Sequence, residues 1–343
     1  MARSKVTIKD VAKALGVSTT LVSFALSDSP KKHRVSDEMI EKVREMARRM
    51  DYQPNSVARS LRSGRSNIIG VILSDISNRF FADIARCIED QASQRGYTVL
   101  MGSTDEKPER LESLVKVFLN KGVDGLIIVP CEGSEDCIRG LVEKKIPLVL
   151  IDRTFDNIDV SSVALNNVKA ISIAVSELAK EGCRDIAFIS YHTTLTNILD
   201  REMGYIKAMK VAGLQKKVRV RNVSYPDMKA EMTTLIPKLL SEGVDALVFS
   251  TNRLTIQALI ALRDAGVKIP DDVAFIGFDG SETFAFELYS TGISYIQQPI
   301  AQFGVEAFNL LIDNLLNQEN AKVVNIELNP ELVRKESSKR SKK

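Results

Sequence analysis

Few residues in this chain are equipped for bond-making chemistry. It holds two histidines, His33 and His192, and four cysteines, Cys87, Cys131, Cys137 and Cys183. The cysteines lack zinc-type spacing, and Cys131 and Cys137 are too far apart for a CxxC redox pair, so they read as reduced thiols of a cytoplasmic protein. There is no GxSxG elbow, no phosphate-binding glycine loop and no cluster of metal ligands. These absences argue against an enzyme and call for neither cofactor nor metal. Near the N-terminus, by contrast, Thr19, Thr20, Ser23 and Phe24 turn outward from a short helical pattern within a basic stretch. Side chains of this size, displayed on a helix, suit recognition by hydrogen bonds and contact.

The elements that position them are legible. Thr7 caps a helix whose inner face is Val11, Ala12 and Leu15, with Asp10 as an acidic first turn. Gly16 permits a tight turn, and Ser18 caps a second helix, Thr19 to Leu26, with Leu21, Val22, Ala25 and Leu26 facing inward. A third helix, Ser36 to Met50, supplies Ile40, Val43 and Met46 to a small core. Ala12, Gly16 and Val22 have the spacing of a helix-turn-helix: a small contact residue, a turn glycine and an apolar anchor. A plain helical hairpin would share that spacing, but would not account for the local charge. Residues 1–66 carry 14 basic and 7 acidic side chains, whereas the other 277 carry 33 and 37. A basic head on a mildly acidic body fits a chain that meets phosphate at one end.

Beyond the polar connector 51–66, apolar strand-length runs alternate with amphipathic helices. The runs are 67–75, 97–104, 124–130 and 147–152, then 185–190, 218–225, 245–251 and 273–279. Continuous apolar strands between helices predict doubly wound parallel sheets. KGVDGLIIVP (121–130) and EGVDALVFST (242–251) match in pattern, which predicts two copies of one α/β unit with a cleft between the carboxyl ends of their strands. No apolar run approaches the ~18 residues of a membrane span, and MARSKVTIKDVAKAL lacks the apolar core of a secretory signal. The last ten residues carry a net charge of +5, which reads as a disordered solubilising tail.

VTIKDVAKALGVSTTLVSFAL, RVSDEMIEKV and YQPNSVARSLRSGRSNIIGVI closely resemble the lac repressor/purine repressor family of bacterial transcription regulators. ISNRFF (76–81), RGYTV (95–99), VDGLIIVP, IDR (151–153), DREMGY (200–205) and IGFD (276–279) extend the resemblance, in order, over essentially the whole chain. It implies a helix-turn-helix head at 1–52, a hinge helix and linker at 53–66, and a two-lobed periplasmic-binding-protein-like body at 67–336. The N-lobe would comprise 67–166 and 296–325, the C-lobe 167–295 and 326–336, and 337–343 would be the basic tail. A homodimer on a pseudo-palindromic operator is implied, cytoplasmic and nucleoid-associated, acting as a repressor of a carbohydrate operon. An activator, or a regulator of non-sugar metabolism, would share the architecture.

The resemblance also implies site residues. Thr7, Ser18, Thr19, Thr20, Ser23, Phe24 and Arg34 fall in the DNA-contacting set, with Lys9 and Arg34 suited to phosphate. Phe24 replaces a frequently polar residue and would favour apolar contact. Asn55, Ala58, Arg59 and Leu61 fall on the hinge helix, Leu61 as the minor-groove wedge. The effector set would be Asp75, Asn78, Arg79, Phe80, Asp152, Arg153, Arg201, Asn252 and Asp279, around a sugar or sugar derivative. Arg79 and Arg253 stand where the family commonly has proline and aspartate. They either suit an anionic effector, such as a sugar acid or phosphorylated sugar, or face solvent.

Overall fold

The computed structural model describes residues 6–26, 30, 34–52, 64–280, 286, 289, 291–317 and 322–340. Two units divide the chain, Met1–Ser66 and Asn67–Lys343.

In the first unit, helices α1 (Ile8–Leu15), α2 (Thr19–Ala25) and α3 (Asp37–Arg49) each begin at the expected cap. Thr7 and Asp10 form a capping box, in which the Thr7 backbone N–H donates to Asp10 Oδ2 at 2.8 Å. Ser18 Oγ accepts from the Leu21 N–H at 3.1 Å and Ser36 Oγ from the Met39 N–H at 3.3 Å. Each bond satisfies a donor that the helix start leaves unpaired. Gly16 ends α1 at φ 66°, a left-handed conformation that costs glycine nothing. Val11, Ala12, Val22, Ala25, Ile40 and Val43 are buried together as the core.

The second unit contains two six-stranded sheets built to one plan. Strands β1 (Ile68–Leu73), β2 (Thr98–Ser103), β3 (Gly125–Ile128), β4 (Leu148–Ile151) and β5 (Ser161–Leu165) stand in the order 2-1-3-4-5. Strands β6 (Ile186–Tyr191), β7 (Arg219–Val223), β8 (Ala246–Phe249), β9 (Ala274–Phe278) and β10 (Ser294–Gln297) repeat that order as 7-6-8-9-10. All neighbours among these ten strands are parallel. The matched Gly-Val-Asp segments therefore lead into equivalent strands, β3 and β8. Helices alternate with the strands: α4 (Arg79–Gln94), α5 (Pro108–Asn120) and α6 (Glu135–Glu143) in the first lobe. The second lobe has α7 (Asn167–Lys180), α8 (Thr196–Val211), α9 (Met228–Ser241) and α10 (Asn252–Asp264).

The chain changes sheet three times: after β5, again after β10, and last between β11 (Asn325–Leu328) and β12 (Glu331–Val333). Helix α11 (Ile300–Leu316) follows the second crossing and packs against α4, β3, β4 and β5. One boundary needs correction here. The first lobe extends to 328 instead of 325, because β11 pairs with β5 in the first sheet. β12 adds a three-residue antiparallel edge beside β10 in the second sheet.

The tail also departs from expectation over residues 337–340. Ser337 and Ser338 are buried, and Ser337 Oγ donates to the Phe275 carbonyl at 2.7 Å while accepting from the Ser294 N–H at 2.7 Å. Arg340 Nη1 lies 3.5 Å from Asp245 Oδ2. Charge counting reads such a segment as solvated, but two small hydroxyls suffice to seat it on the second sheet.

Candidate functional site

In the head, α2 buries Val22 and Ala25 and leaves Thr19 and Thr20 exposed, with Ser23 and Phe24 partly so. Arg34 is exposed, at φ 55°. Thr7 and Ser18 are helix caps: the Thr7 hydroxyl donates to Asp10 Oδ2 at 2.7 Å, and Ser18 Oγ accepts from the Leu21 N–H. Asn55, Ala58, Arg59 and Leu61 lie outside the described residues.

In the body, a cavity of about 210 Å³ lies where the carboxyl ends of both sheets converge. Nearly every strand end contributes. From the first sheet come Asp75 after β1, Glu106 after β2, Glu132 after β3, and Asp152 with Arg153 after β4. From the second come His192 and Thr193 after β6, Tyr225 after β7, Thr251 to Arg253 after β8, Asp279 after β9 and Gln298 after β10. This is where doubly wound sheets bind ligands: the strand order reverses beside β1 and beside β6, and the helices diverge there.

Asp152 and Asp279 end equivalent strands, and both take left-handed backbone conformations, φ 67° and 52°. Aspartate tolerates this better than most residues. Asp152 is 4% exposed; its Oδ2 accepts from Asn197 Nδ2 at 3.2 Å, and burial raises its pKa despite the nearby Arg153 and Arg201. Asp279 Oδ2 accepts from Gln298 Nε2 at 2.7 Å, and burial lifts its pKa to about 7.

Three arginines line the cavity, and the protein engages each. Arg153 donates to both carboxylate oxygens of Glu106 at 2.7 Å and to the Pro130 carbonyl at 3.0 Å. Arg201, 4% exposed, donates from Nε to Asn167 Oδ1 at 2.8 Å and from Nη1 to the Ser250 carbonyl at 2.6 Å. Its guanidinium lies 4.0 Å from the Phe278 ring centroid. Arg253 pairs with Asp75 and donates to Ser77 Oγ at 3.2 Å.

That last pair crosses the cleft. So does Glu132, which accepts from the Thr194 N–H at 2.9 Å and from Thr193 Oγ1 at 3.2 Å. Asn197 reaches Asp152 from the other lobe. Arg253, its side chain 37% exposed, is thus engaged by Asp75 across the cleft. Arg79 is corrected more sharply: it sits at the first position of α4, its side chain is 69% exposed, and it pairs with Asp83 at 2.8 Å. It does not line the cavity.

The structure brings together Asp75, Asn78, Phe80, Asp152, Arg153, Arg201, Asn252 and Asp279 from the expected set. Asn78 also caps α4, and the Asn252 amide donates to the Asp279 carbonyl. Sequence reading passed over Glu106, Glu132, Asn197, Tyr225 and Gln298. Asn197 precedes Arg201 by one helical turn and was open to periodicity. Glu132 follows a strand that had been read. Gln298 follows β10, whose four residues give too short a pattern to stand out. Among the described residues, no group of three or more His, Cys, Asp or Glu is placed to hold a metal, and no helix is long and apolar enough to cross a membrane.

A capped helix-turn-helix and a two-lobed α/β body with a polar cleft at its strand ends define the architecture of a DNA-binding transcription regulator. Comparison with known proteins agrees over both units. Residues 7–55 match the model of bacterial regulatory proteins of the lacI family, and residues 66–335 match the periplasmic binding proteins and sugar binding domain of LacI family. The chain belongs to the LacI family of DNA-binding transcription regulators. It is 30% identical to the HTH-type transcriptional regulator RegA of Clostridium saccharobutylicum over 333 residues, 96% of this chain and 98% of that one. It is 29% identical to the repressor PurR of Actinobacillus pleuropneumoniae serotype 3 (strain JL03), over 96% and 98% of the two chains. The fold matches a lac repressor dimer bound to operator and the anti-inducer ONPF, with TM-score 0.81 at 23% identity, covering 98% and 99%.

Proposed function

We propose that this regulator is a homodimeric repressor whose operator affinity is set by a small, polyhydroxylated effector held between its lobes. The observation that carries this reading is the convergence of strand ends from both sheets on one buried polar cleft. Buried hydrogen-bonding groups with fixed geometry select ligands by matched hydroxyls. An anionic effector is disfavoured. Five carboxylates line the cleft, and its three arginines are occupied by protein acceptors. A sugar acid or sugar phosphate would add negative charge where carboxylates already outnumber arginines.

On DNA, Thr19, Thr20, Ser23 and Phe24 would read base edges, with Arg34 and Lys9 on phosphates and Leu61 in the minor groove. An effector favouring one lobe arrangement would shift operator affinity, and operator would shift effector affinity equally, by ~1–3 kcal/mol. The test is operator selection with the full chain, then titration of the selected site with and without candidate sugars. A Thr20→Ala variant is expected to lose about 1–3 kcal/mol on that site and little on random DNA. Equal losses on both would overturn the base-reading role, and no sugar effect on DNA binding would overturn the effector role.

A further inference from the structure

One surface of the body is built like half of an interface. Helix α8 turns Ile198, Arg201, Tyr205, Ala208 and Met209 inward. Its outer side carries Leu199, Met203 and Ile206, which are 48%, 46% and 39% exposed. The spacing i, i+4, i+7 lines these three side chains along one helical face. Single apolar residues on a surface need no explanation, but an aligned row on one helix is a packing face left open. The same helix carries Asn197 and Arg201 into the cleft, so the row and the cleft share one element.

The charges beside the row select its occupant. Asp200 and Lys207 stand two turns apart on one flank, and Lys210 closes the C-terminal end. All three are exposed, and among the described residues none of them forms a salt bridge. Burial and the carboxylates of Asp156 and Glu327 raise the Asp200 pKa, so a cation arriving from outside would relieve it. A uniformly charged partner, such as nucleic acid or an anionic membrane, would meet both signs at once. A second copy of the same helix would not. Laid antiparallel about a two-fold axis between Met203 and Gly204, each Asp200 comes level with Lys207 of the other copy, on the same flank. Each Leu199 then falls between the levels of Ile206 and Lys210 of the other copy, and the two Met203 side chains meet at the axis. Parallel packing would instead set Asp200 against Asp200 and Lys207 against Lys207. We infer that α8 pairs antiparallel with α8 of a second copy and so joins repressor dimers into tetramers. This rests on the homodimer reading and adds a second, weaker contact to it. One helix about 24 Å long offers less than the roughly 1,000 Å² of buried surface that a free-standing interface needs. A tetramer carries two pairs of heads, so binding at a second operator becomes intramolecular.

The experiment is sedimentation velocity on the full-length protein over a range of concentrations, with circular dichroism melting to check that each variant folds. Wild type is expected to pass from dimer to tetramer as concentration rises. Met203→Glu, which places a charge at the two-fold axis, is expected to abolish that step and leave the dimer intact. Asp200→Lys alone sets like charges together twice across the axis and is expected to weaken the tetramer about tenfold. Lys207→Asp alone should do the same. The double variant Asp200→Lys with Lys207→Asp reverses both signs and is expected to restore wild-type assembly. A dimer with no further step overturns the proposal and leaves the homodimer standing. A tetramer that survives Met203→Glu, or that the double variant fails to restore, overturns the α8 pairing. A monomer at every concentration overturns this contact and the homodimer reading together.

Discussion

Asp279 is the residue whose surroundings most alter its chemistry. Its carboxyl is buried at the end of β9, accepts from Gln298, and is lifted from 3.8 to about 7 because burial outweighs the attraction of Arg201. The folded chain therefore holds a proton there that the unfolded chain releases at lower pH. The stability contributed by that proton is full below the ordinary aspartate range and is lost as pH rises through about 7. Thermal unfolding from about pH 5 to about pH 8 should show a falling melting temperature, and Asp279→Asn should flatten the fall. Asp152 is shifted in the same direction, so the slope should shrink without vanishing. An unchanged slope in the variant would refute the assignment. Residues of this kind were only partly legible beforehand. Asp279 could be placed at a strand end, but its protonation follows from burial, which only the assembled lobes provide and which outweighs the opposing pull of Arg201 and Gln298.

Among the elements, the α7–α8 crossing matters most to the cleft, because it holds Arg201. Asn167 at the start of α7 accepts from Arg201 on α8, and the two helices approach closely at Gly204. A Cβ at Gly204 would lie 2.3 Å from the Val168 carbonyl oxygen, which is backbone and cannot swing aside. Gly204→Ala gains ~1 kcal/mol of helix propensity, and overpacking is expected to outweigh this with a net loss of about 1–2 kcal/mol. Denaturant melts would read the loss, and effector titration should show weaker binding as Arg201 is displaced. A stabilised variant with unchanged binding would show that the crossing is slack. The elements themselves were well announced by sequence where caps and long apolar runs mark them, as at Thr7, Ser18 and Ser36. β5, β10, β11 and β12 were not announced. They are three to five residues long, and β11 and β12 pair with strands remote in sequence.

For the body as a whole, the question is what holds its two lobes together around an open cavity. Among the described residues, four sets of side-chain bonds join the lobes: Arg253 to Asp75, Glu132 to Thr193 and Thr194, Asn197 to Asp152, and Thr196 to the Thr154 carbonyl. The Arg253 and Asp75 side chains are 37% and 17% exposed, which places the pair between the weak surface case and the costly buried one. Arg253→Ala combined with Glu132→Ala is expected to open the lobes, seen as a larger radius of gyration in small-angle scattering, and the single variants to open them less. Identical scattering from wild type and double variant would mean that the remaining inter-lobe bonds and the three chain crossings suffice to set the closure.

The local code of this protein lies in its sequence. Helix caps, the Gly16 turn, the outward face of α2 and the strand-to-helix rhythm each depend on neighbours within a few positions, so their physics is visible along the chain. The family resemblance carried that reading to most of the cleft. Tertiary structure alone decided the rest: that Arg253 would be claimed by Asp75, 178 residues away, that Arg79 would point outward, and that the serines of the basic tail would be buried. Burial and charge pairing are properties of assembled surfaces, set by which strand ends meet, and no local window contains both partners.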